Sequence, residues 1–288
     1  MENKIISIYL TVCEKYNTTL IAETQRFSNN FCPKFTDEEA ITCYIFGILE
    51  QKLTLKGVYK FIKDYWAEWF PNLPSYQRFN KLINFLAPAF ELLAKDLLGQ
   101  FGGYSVDNLL DSMPIVVANS KRSRTAKVAS DICDKGYCAS KSMYFYGVKL
   151  HGLAKHKPHK MPNLRYYTIT PASNSDITVA KQMLQTAENI NVYADKAYAD
   201  NKWKAELSKQ NVHLFTPVKL KKGQENLDAT DKLFSRAVSS IRQPIEGLFA
   251  WLQDKTHIQN ASKIRSSAGL FAFIFVRIAA YAFMLFYC

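Results

Sequence analysis

The chain has 288 residues, of which 48% are apolar, 14% aromatic and 22% charged. This composition excludes a largely disordered protein, because the apolar side chains are numerous enough to bury a large core. The surplus of basic over acidic residues gives a formal net charge of +12, which indicates a polyanionic partner, with nucleic acid first and an anionic membrane second. The 6 cysteines show no disulfide-framework spacing and no signal-peptide pattern opens the chain, so we expect a cytoplasmic protein.

The first hundred residues have the patterns of a helical domain. Thr36 and Glu39 form a capping box, and apolar residues at helical spacing follow it. The segment from Leu55 to Phe70 predicts a further helix, which ends before Pro71. We therefore predict an all-helical domain over residues 1–100.

A helix-turn-helix is one interpretation of part of this domain. The turn at residues 72–74 separates two predicted helices, and Ser75 is the predicted N-cap of the second one. Arg78 and Lys81 lie on that second helix, where they could contact DNA. The alternative is an ordinary helical bundle, since any bundle contains such helix pairs.

The sequence pattern changes after a glycine-rich segment at residues 99–103, which we predict to be the domain boundary. Strands are predicted at 109–111, 144–153, 164–170, 191–195 and 212–216, and helices at 176–188, 202–210 and about 231–254. Pro244 interrupts the last helix, so a kink or a new helix start is expected there. This order predicts an α/β domain over residues 101–288, in which helices flank a mixed sheet.

Three acidic residues occupy special places in this second domain. Asp111 ends the first predicted strand, Asp195 ends a short apolar strand, and Glu246 lies on the long helix four residues after Arg242. Carboxylates at strand ends suit a hard divalent cation, and two such ions about 3.5–4 Å apart would favour phosphoryl displacement. The alternative is that the aspartates only cap turns and that Glu246 only pairs with Arg242 along the helix.

Two further sets of residues have alternative interpretations. Four cations, Lys121, Arg122, Arg124 and Lys127, lie within one short segment after the first strand and either line a DNA path or belong to a solvated loop. A second set resembles zinc ligands only weakly, because four residues separate its two cysteines and two of its histidines lie in a polar loop. That set consists of Cys133, Cys138, His151, His156 and His159.

Seven short motifs occur in order along almost the entire chain and resemble those of one family. They are FTDEE at 35–39, LPSY at 73–76, LDSMPI at 110–115, KGY at 135–137, YGVKLH at 146–151, ADKAY at 194–198 and RQPIEGLF at 242–249. Together they resemble the DDE transposases of bacterial insertion sequences, most closely the insertion sequence 982 group. Related transposases carry a tyrosine and a lysine around the glutamate, and here Ser239 and Gln253 hold those positions.

The resemblance implies an RNase H-like catalytic core in which Asp111, Asp195 and Glu246 are the catalytic residues and bind two Mg²⁺ ions, with Mn²⁺ as a substitute. It implies cleavage of DNA at the element ends and transfer of the 3′-hydroxyl into target DNA. The helical N-terminal domain would recognise the terminal inverted repeats, and a homodimer or larger assembly would join two ends. The residues expected to contact DNA are Arg242, Lys196, Lys149, Lys121, Arg122, Arg124, Lys127, Arg78 and Lys81.

Residues 268–286 are apolar except for Arg277 and are long enough to span a bilayer. A charge in the middle of such a span costs about 2.5–3.5 kcal/mol, which favours a helix buried in a protein core. With the motifs above, we expect this helix to pack on the catalytic domain. The rival functions are a DNA-binding relative that no longer cuts, and a basic protein that this run anchors to a membrane.

Overall fold

The computed structural model describes residues 1–26, 33–101, 105–138, 141–220 and 223–287. The chain divides into two compact units, one formed by Met1–Gln100 together with Leu252–Cys288 and the other by Phe101–Trp251. The division near residue 100 lies at the glycine-rich segment, of which residues 102 and 103 are outside the described residues. The second division differs from the sequence analysis, because the C-terminal segment groups with the helical unit.

The N-terminal region is helical, as predicted. Its α-helices are α1 (Glu2–Lys15), α2 (Asp37–Leu49), α3 (Leu55–Tyr65), α4 (Tyr76–Phe85) and α5 (Ala87–Gln100). The capping box is confirmed at the start of α2, where the Glu39 backbone N–H donates to Thr36 Oγ1 and the Thr36 N–H donates to Glu39 Oε2. The helix α3 ends at Tyr65, five residues before the predicted end, and Ser75 is the N-cap residue of α4 without a side-chain capping bond.

The second unit contains one mixed sheet. Its strands are β1 (Asp107–Asn119), β2 (Asp134–Cys138), β3 (Met143–Lys155), β4 (Asn163–Pro171), β5 (Ile190–Tyr193) and β6 (Val212–Phe215). The strand order is β2-β3-β1-β5-β6, and β4 also pairs with β3. The first four strands pair antiparallel, whereas β1, β5 and β6 are parallel to one another, so the predicted α/β class with a mixed sheet is confirmed.

The helices that follow the strands are α6 (Asp176–Met183), α7 (Asn201–Ser208), α8 (Ala229–Arg242) and α9 (Pro244–Thr256). The first two pack against the sheet through apolar side chains such as Leu184, Trp203 and Leu207. Pro244 begins α9, so the predicted interruption is a new helix start, as expected of a residue without a backbone N–H.

The strand β1 is much longer than predicted, and Asp111 lies inside it instead of ending it. The sequence analysis ended the strand at Asp111, whereas the observed strand continues through Pro114, a residue that cannot donate a backbone hydrogen bond to a neighbouring strand. The parallel pairing with β5 covers only Asp107–Leu109, so beyond it the register gives β1 a partner in β3 alone. Pro114 is therefore tolerated, since one side of the strand needs no ladder bond at that point.

The last helix, α10 (Ser267–Tyr287), is buried but does not pack where the sequence analysis expected. It packs mainly against α5 and α2 of the helical unit, which corrects its assignment to the core of residues 101–288. The fully buried Arg277 explains this position, because its guanidinium donates to the carbonyl oxygens of Leu53 and Thr256, both in the helical unit. Among the described residues, α10 is the one helix long and apolar enough to cross a membrane, and most of it is buried inside the unit.

Candidate active site

The sheet brings Asp111 and Asp195 to neighbouring positions. Leu109 and Tyr193 are register partners in the parallel pair of β1 and β5. Asp111 and Asp195 each follow their partner by two residues, at the carboxyl end of the paired segment. Sites in α/β sheets form at this edge, because loops and side chains of adjacent strands meet there.

Glu246 reaches the same place through Arg242. Arg242 ends α8, Glu246 lies in the first turn of α9, and the break at Pro244 separates them. Arg242 Nη1 lies 2.9 Å from Asp111 Oδ2, and Arg242 Nη2 donates to Glu246 Oε1. One guanidinium therefore joins two of the three predicted carboxylates. The i,i+4 ion pair that the sequence analysis gave as an alternative is present as part of this bridge.

The electrostatics of Asp111 show that all three acids interact. Burial raises the pKa of Asp111 to about 6, and the negative charges of Asp195 and Glu246 raise it further. The Ser112 backbone N–H, which donates to Asp111 Oδ1 over 2.8 Å, and the positive charge of Arg242 oppose this rise. The same three carboxylates raise the pKa of Arg242 against the effect of burial. Asp111 and Arg242 are thus each influenced by the charges of both Asp195 and Glu246.

Tyr198 is a member of this cluster that sequence reasoning missed. It ends a short 3-10 turn that begins directly after Asp195, and its side chain is only 2% exposed. Its hydroxyl lies near the Ser112 side chain but makes no well-formed hydrogen bond within the described structure. Burial raises the tyrosine pKa strongly, and the charges of Asp111, Asp176 and Asp195 add to the rise. The sequence signal available was the ADKAY motif, in which the tyrosine follows the aspartate by three residues.

A second polar cluster lies on β3 beside the first residues of α6. Lys149 Nζ donates to Asp176 Oδ1 over 2.9 Å and to the Asn174 carbonyl oxygen over 3.0 Å. The buried His151 ring contacts Thr170 Oγ1 through Nε2 at 2.9 Å. Burial lowers the pKa of His151 to about 4, and the charge of Lys149 lowers it further, while Asp176 opposes them. Lys149, predicted to contact DNA, is thus held in an ion pair with an acid that the sequence analysis did not single out.

The other predicted DNA contacts are exposed in their own units. Lys196 follows Asp195 directly, and its backbone N–H donates to Asp195 Oδ1 over 2.6 Å. The basic segment lies in and just after a 3-10 turn, and the side chains of Lys121, Arg122, Arg124 and Lys127 are exposed. Arg78 and Lys81 are exposed on α4 of the helical unit. Among the described residues, the side chains of Lys196 and of the basic segment make no ion pair with Asp111, Asp195 or Glu246, whose basic partner is Arg242.

The donor set suits a hard divalent cation in its chemistry. Asp111, Asp195 and Glu246 offer oxygen ligands only, and the charges of Asp195 and Glu246 disfavour the ionised form of Asp111, which a nearby cation would favour. In the described part of the chain, no group of three histidine, cysteine, aspartate or glutamate side chains is placed to hold a metal ion, which also applies to the zinc-like set. The Arg242 guanidinium supplies positive charge between two of the acids in this arrangement. Cys13, Cys43, Cys133 and Cys138 form no disulfide, and Cys32 and Cys288 lie outside the described residues.

Comparison with known proteins identifies the family. The Transposase DDE domain family matches residues 107–283, which include all of these acids and more than half of the chain. No curated protein and no solved structure matches the chain. The matched residues include the sheet, the two aspartates at the strand edge and the glutamate on α9. The chain therefore belongs to the Transposase DDE domain family and is a transposase of insertion-sequence type.

Proposed function

We propose that this transposase, of the insertion sequence 982 type, cleaves DNA at the ends of its element and joins the 3′-hydroxyl to target DNA. In this proposal Asp111, Asp195 and Glu246 are the catalytic residues, on an RNase H-like core. The observation that carries the proposal is that Arg242 bridges Asp111 and Glu246 while the register of β1 and β5 places Asp195 beside Asp111, although the three acids lie far apart in the sequence. Both reaction steps are in-line displacements at phosphorus, which depend on positioning and charge neutralisation more than on a protein nucleophile.

The three carboxylates would hold two Mg²⁺ ions, with Mn²⁺ able to substitute. When bound, such ions stabilise the attacking and leaving oxygens of the displacement. Asp111 must be ionised to act as a ligand, so deprotonation above its raised pKa of about 6 prepares the site. Arg242, released from the carboxylates, would be free to bind a DNA phosphate, for which its planar fork of donors is suited.

The expected partners are the terminal inverted repeats and the target DNA, in the bacterial cytoplasm at the nucleoid. The exposed cations at residues 121–127, with Lys196, would contact DNA phosphates near the catalytic residues, and Arg78 and Lys81 would do so on the helical unit. Lys149 would reach phosphate only if it leaves Asp176. Joining two element ends in one complex requires a homodimer or a larger assembly.

Cleavage of labelled element-end duplexes in Mg²⁺ tests the proposal. We expect the natural protein to nick the end, and Asp111→Asn to bind the same duplex without nicking it. Asp134→Asn is the matched control, because Asp134 is an exposed acid on β2 of the same sheet. A natural protein that binds ends and never nicks them would establish the non-cutting relative instead.

Fractionation of cells tests the membrane rival. Since α10 is mostly buried in the helical unit, we expect the protein in the soluble or DNA-bound fraction. Recovery in a membrane pellet that high salt does not strip would contradict this expectation.

A further inference from the structure

The helical unit contains a groove of about 830 Å³ whose charged side chains are all basic. Its walls come from three segments: the start of α3, one face of α4, and the loop of residues 257–266 that leads into α10. The described residues that line it include no aspartate or glutamate. Its cations are Lys56, Lys60, Lys263 and Arg265.

These four cations are not neutralised by carboxylates. None of the three lysines has an ion pair within the described structure, and Arg265 Nη1 donates only to the carbonyl oxygens of Ser262 and Ile264. Lys56 and Lys60 are four residues apart on α3, so their like charges lie on the same helix face and repel each other. Clustered positive charges that repel each other and have no carboxylate partner within the fold are typical of a surface that binds an external anion.

Polar and apolar groups complete the groove. Asn80 and Asn84, also four residues apart, turn the same face of α4 toward it, and Ser262 and Ser266 add hydroxyl groups from the loop. Tyr44, Ile83 and Phe273 supply an apolar floor. Cations, amides and hydroxyls are the groups that contact the phosphates and sugars of DNA.

The loop of residues 257–266 is held in place before any ligand binds. Ile258 and Ala261 are fully buried, and the Gln259 backbone N–H donates to Gln253 Oε1 over 2.9 Å. At the base of the loop, the Thr256 carbonyl accepts from the buried Arg277. Lys263 and Arg265 therefore extend from a fixed support, which lowers the entropic cost of binding.

We propose that this groove binds the sugar-phosphate backbone of duplex DNA, so that the segment after the glutamate helix contributes to DNA binding by the helical unit. It assigns the main phosphate contacts of this unit to α3 and the 257–266 loop, whereas Arg78 and Lys81 of α4 do not line the groove. The inference rests on the proposed function only in that the polyanion is DNA. Charge complementarity selects this occupant, because the groove combines four unpaired cations with hydrogen-bond donors.

The salt dependence of DNA binding tests the proposal, with the full-length chain, no divalent metal and a labelled random-sequence duplex. Each lost phosphate contact lowers the slope of log affinity against log salt by about 0.9. We expect Lys263→Ala/Arg265→Ala, and separately Lys56→Ala/Lys60→Ala, to lower the slope by about 2. When the salt concentration is raised about fourfold, the affinity of the natural chain for DNA should therefore fall by a factor roughly tenfold larger than that of either variant.

Lys34→Ala/Lys63→Ala is the matched control, because it removes two exposed cations of the same unit that do not line the groove. Its slope should stay close to that of the natural chain, and thermal unfolding should show all variants folded. The proposal would be overturned if the groove variants showed the same salt slope for DNA binding as the control. It would also be overturned if the groove variants kept the natural salt slope for DNA but lost binding to anionic vesicles or to an acidic protein. Since no cleavage is measured, failure of the catalytic proposal would leave this result unaffected.

Discussion

Arg242 and Asp111, 131 positions apart in the sequence, are joined by a hydrogen bond of 2.9 Å from Nη1 to Oδ2. The second nitrogen of the same guanidinium contacts Glu246, so a single side chain balances the charge of two acids that would otherwise repel. Arg242 is therefore the internal counter-ion of the site. Any divalent cation that binds both acids must compete with it.

Replacement of Arg242 by glutamine should separate the neutralisation of the acids by Arg242 from its competition with a divalent cation. Without divalent metal, we expect Arg242→Gln to lower the free energy of unfolding by about 1–2 kcal/mol, mainly because the largely buried Asp111 loses its partner, while the exposed Glu246 contributes less. Added Mg²⁺ should then stabilise the variant more than the natural protein, since no arginine has to be displaced. Thermal unfolding with and without Mg²⁺ measures both changes.

Arg236→Gln, at an exposed position on the same helix, is the control and should change neither quantity. An Arg242 variant that Mg²⁺ stabilises no more than the natural protein would show that the guanidinium does not compete with the cation.

Because the hydroxyl of Tyr198 is buried, we expect an unusual effect on stability when it is removed by the conservative substitution Tyr198→Phe. It is buried and has only a poorly formed contact with the Ser112 side chain in the described structure, so Tyr198→Phe removes a polar atom that gains little from the fold. We expect the free energy of unfolding to stay the same or rise by about 1 kcal/mol in urea denaturation. Tyr198→Ala should instead cost about 3–5 kcal/mol through the cavity that it leaves.

If Tyr198→Phe were destabilised by more than 1 kcal/mol, the hydroxyl would have a partner in the folded chain. The same variant in the cleavage assay shows whether the hydroxyl acts on the neighbouring carboxylates when DNA is bound.

His151 should make the stability of the protein depend on pH. Its pKa is about 4 in the folded chain and near 6.5 when unfolded, so the unfolded state binds more protons between these values. The contribution of His151 is therefore fully present above pH 6.5 and is lost as the pH falls toward 4. At 1.36 kcal/mol per pKa unit, the total is about 3 kcal/mol.

Urea denaturation at several pH values between 4 and 7 should show this loss in the natural protein. In His151→Asn, which has no group that titrates in this range, the same interval should show a profile flatter by that amount. His213→Asn controls for an exposed histidine of the same unit. Parallel profiles for the natural chain and His151→Asn would mean that this histidine charges freely in the folded state.

The elements were predictable where a local pattern decides them. The capping box of α2, the aromatic strands β3 and β4 and the helix start at Pro244 all depend on neighbouring residues in the sequence. The extent of β1 was not predictable, because Pro114 is acceptable only where β5 has ended, and strand register is a property of the whole sheet. The partner of α10 was hidden for a similar reason, since an almost entirely apolar helix shows no preferred face.

The candidate site divides in the same way. Asp111 and Asp195 are candidates in the sequence because charges next to apolar strands, within ordered motifs, stand out, and Glu246 is one because it lies in a motif four residues after Arg242. Their contact through Arg242 depends on pairs distant in the sequence, as does the capture of Lys149 by Asp176. Tyr198 remained unnoticed because the burial of a hydroxyl beside carboxylates becomes visible only when its surroundings are known.

Arg277 provides the test that separates a buried core helix from a membrane span. Its guanidinium donates to the Thr256 carbonyl over 2.8 Å and to the Leu53 carbonyl over 2.7 Å. Arg277→Met keeps an unbranched side chain but leaves these oxygens unpaired, which should cost about 3 kcal/mol and lower the yield of soluble protein. In a membrane span, the same change would remove a charge and favour insertion by about 2.5–3.5 kcal/mol. The measurements are thermal unfolding of the purified protein and the soluble fraction in cells, with Arg165→Met at an exposed position as control. A buried core helix predicts that Arg277→Met lowers stability, whereas a membrane span predicts that it favours the inserted state.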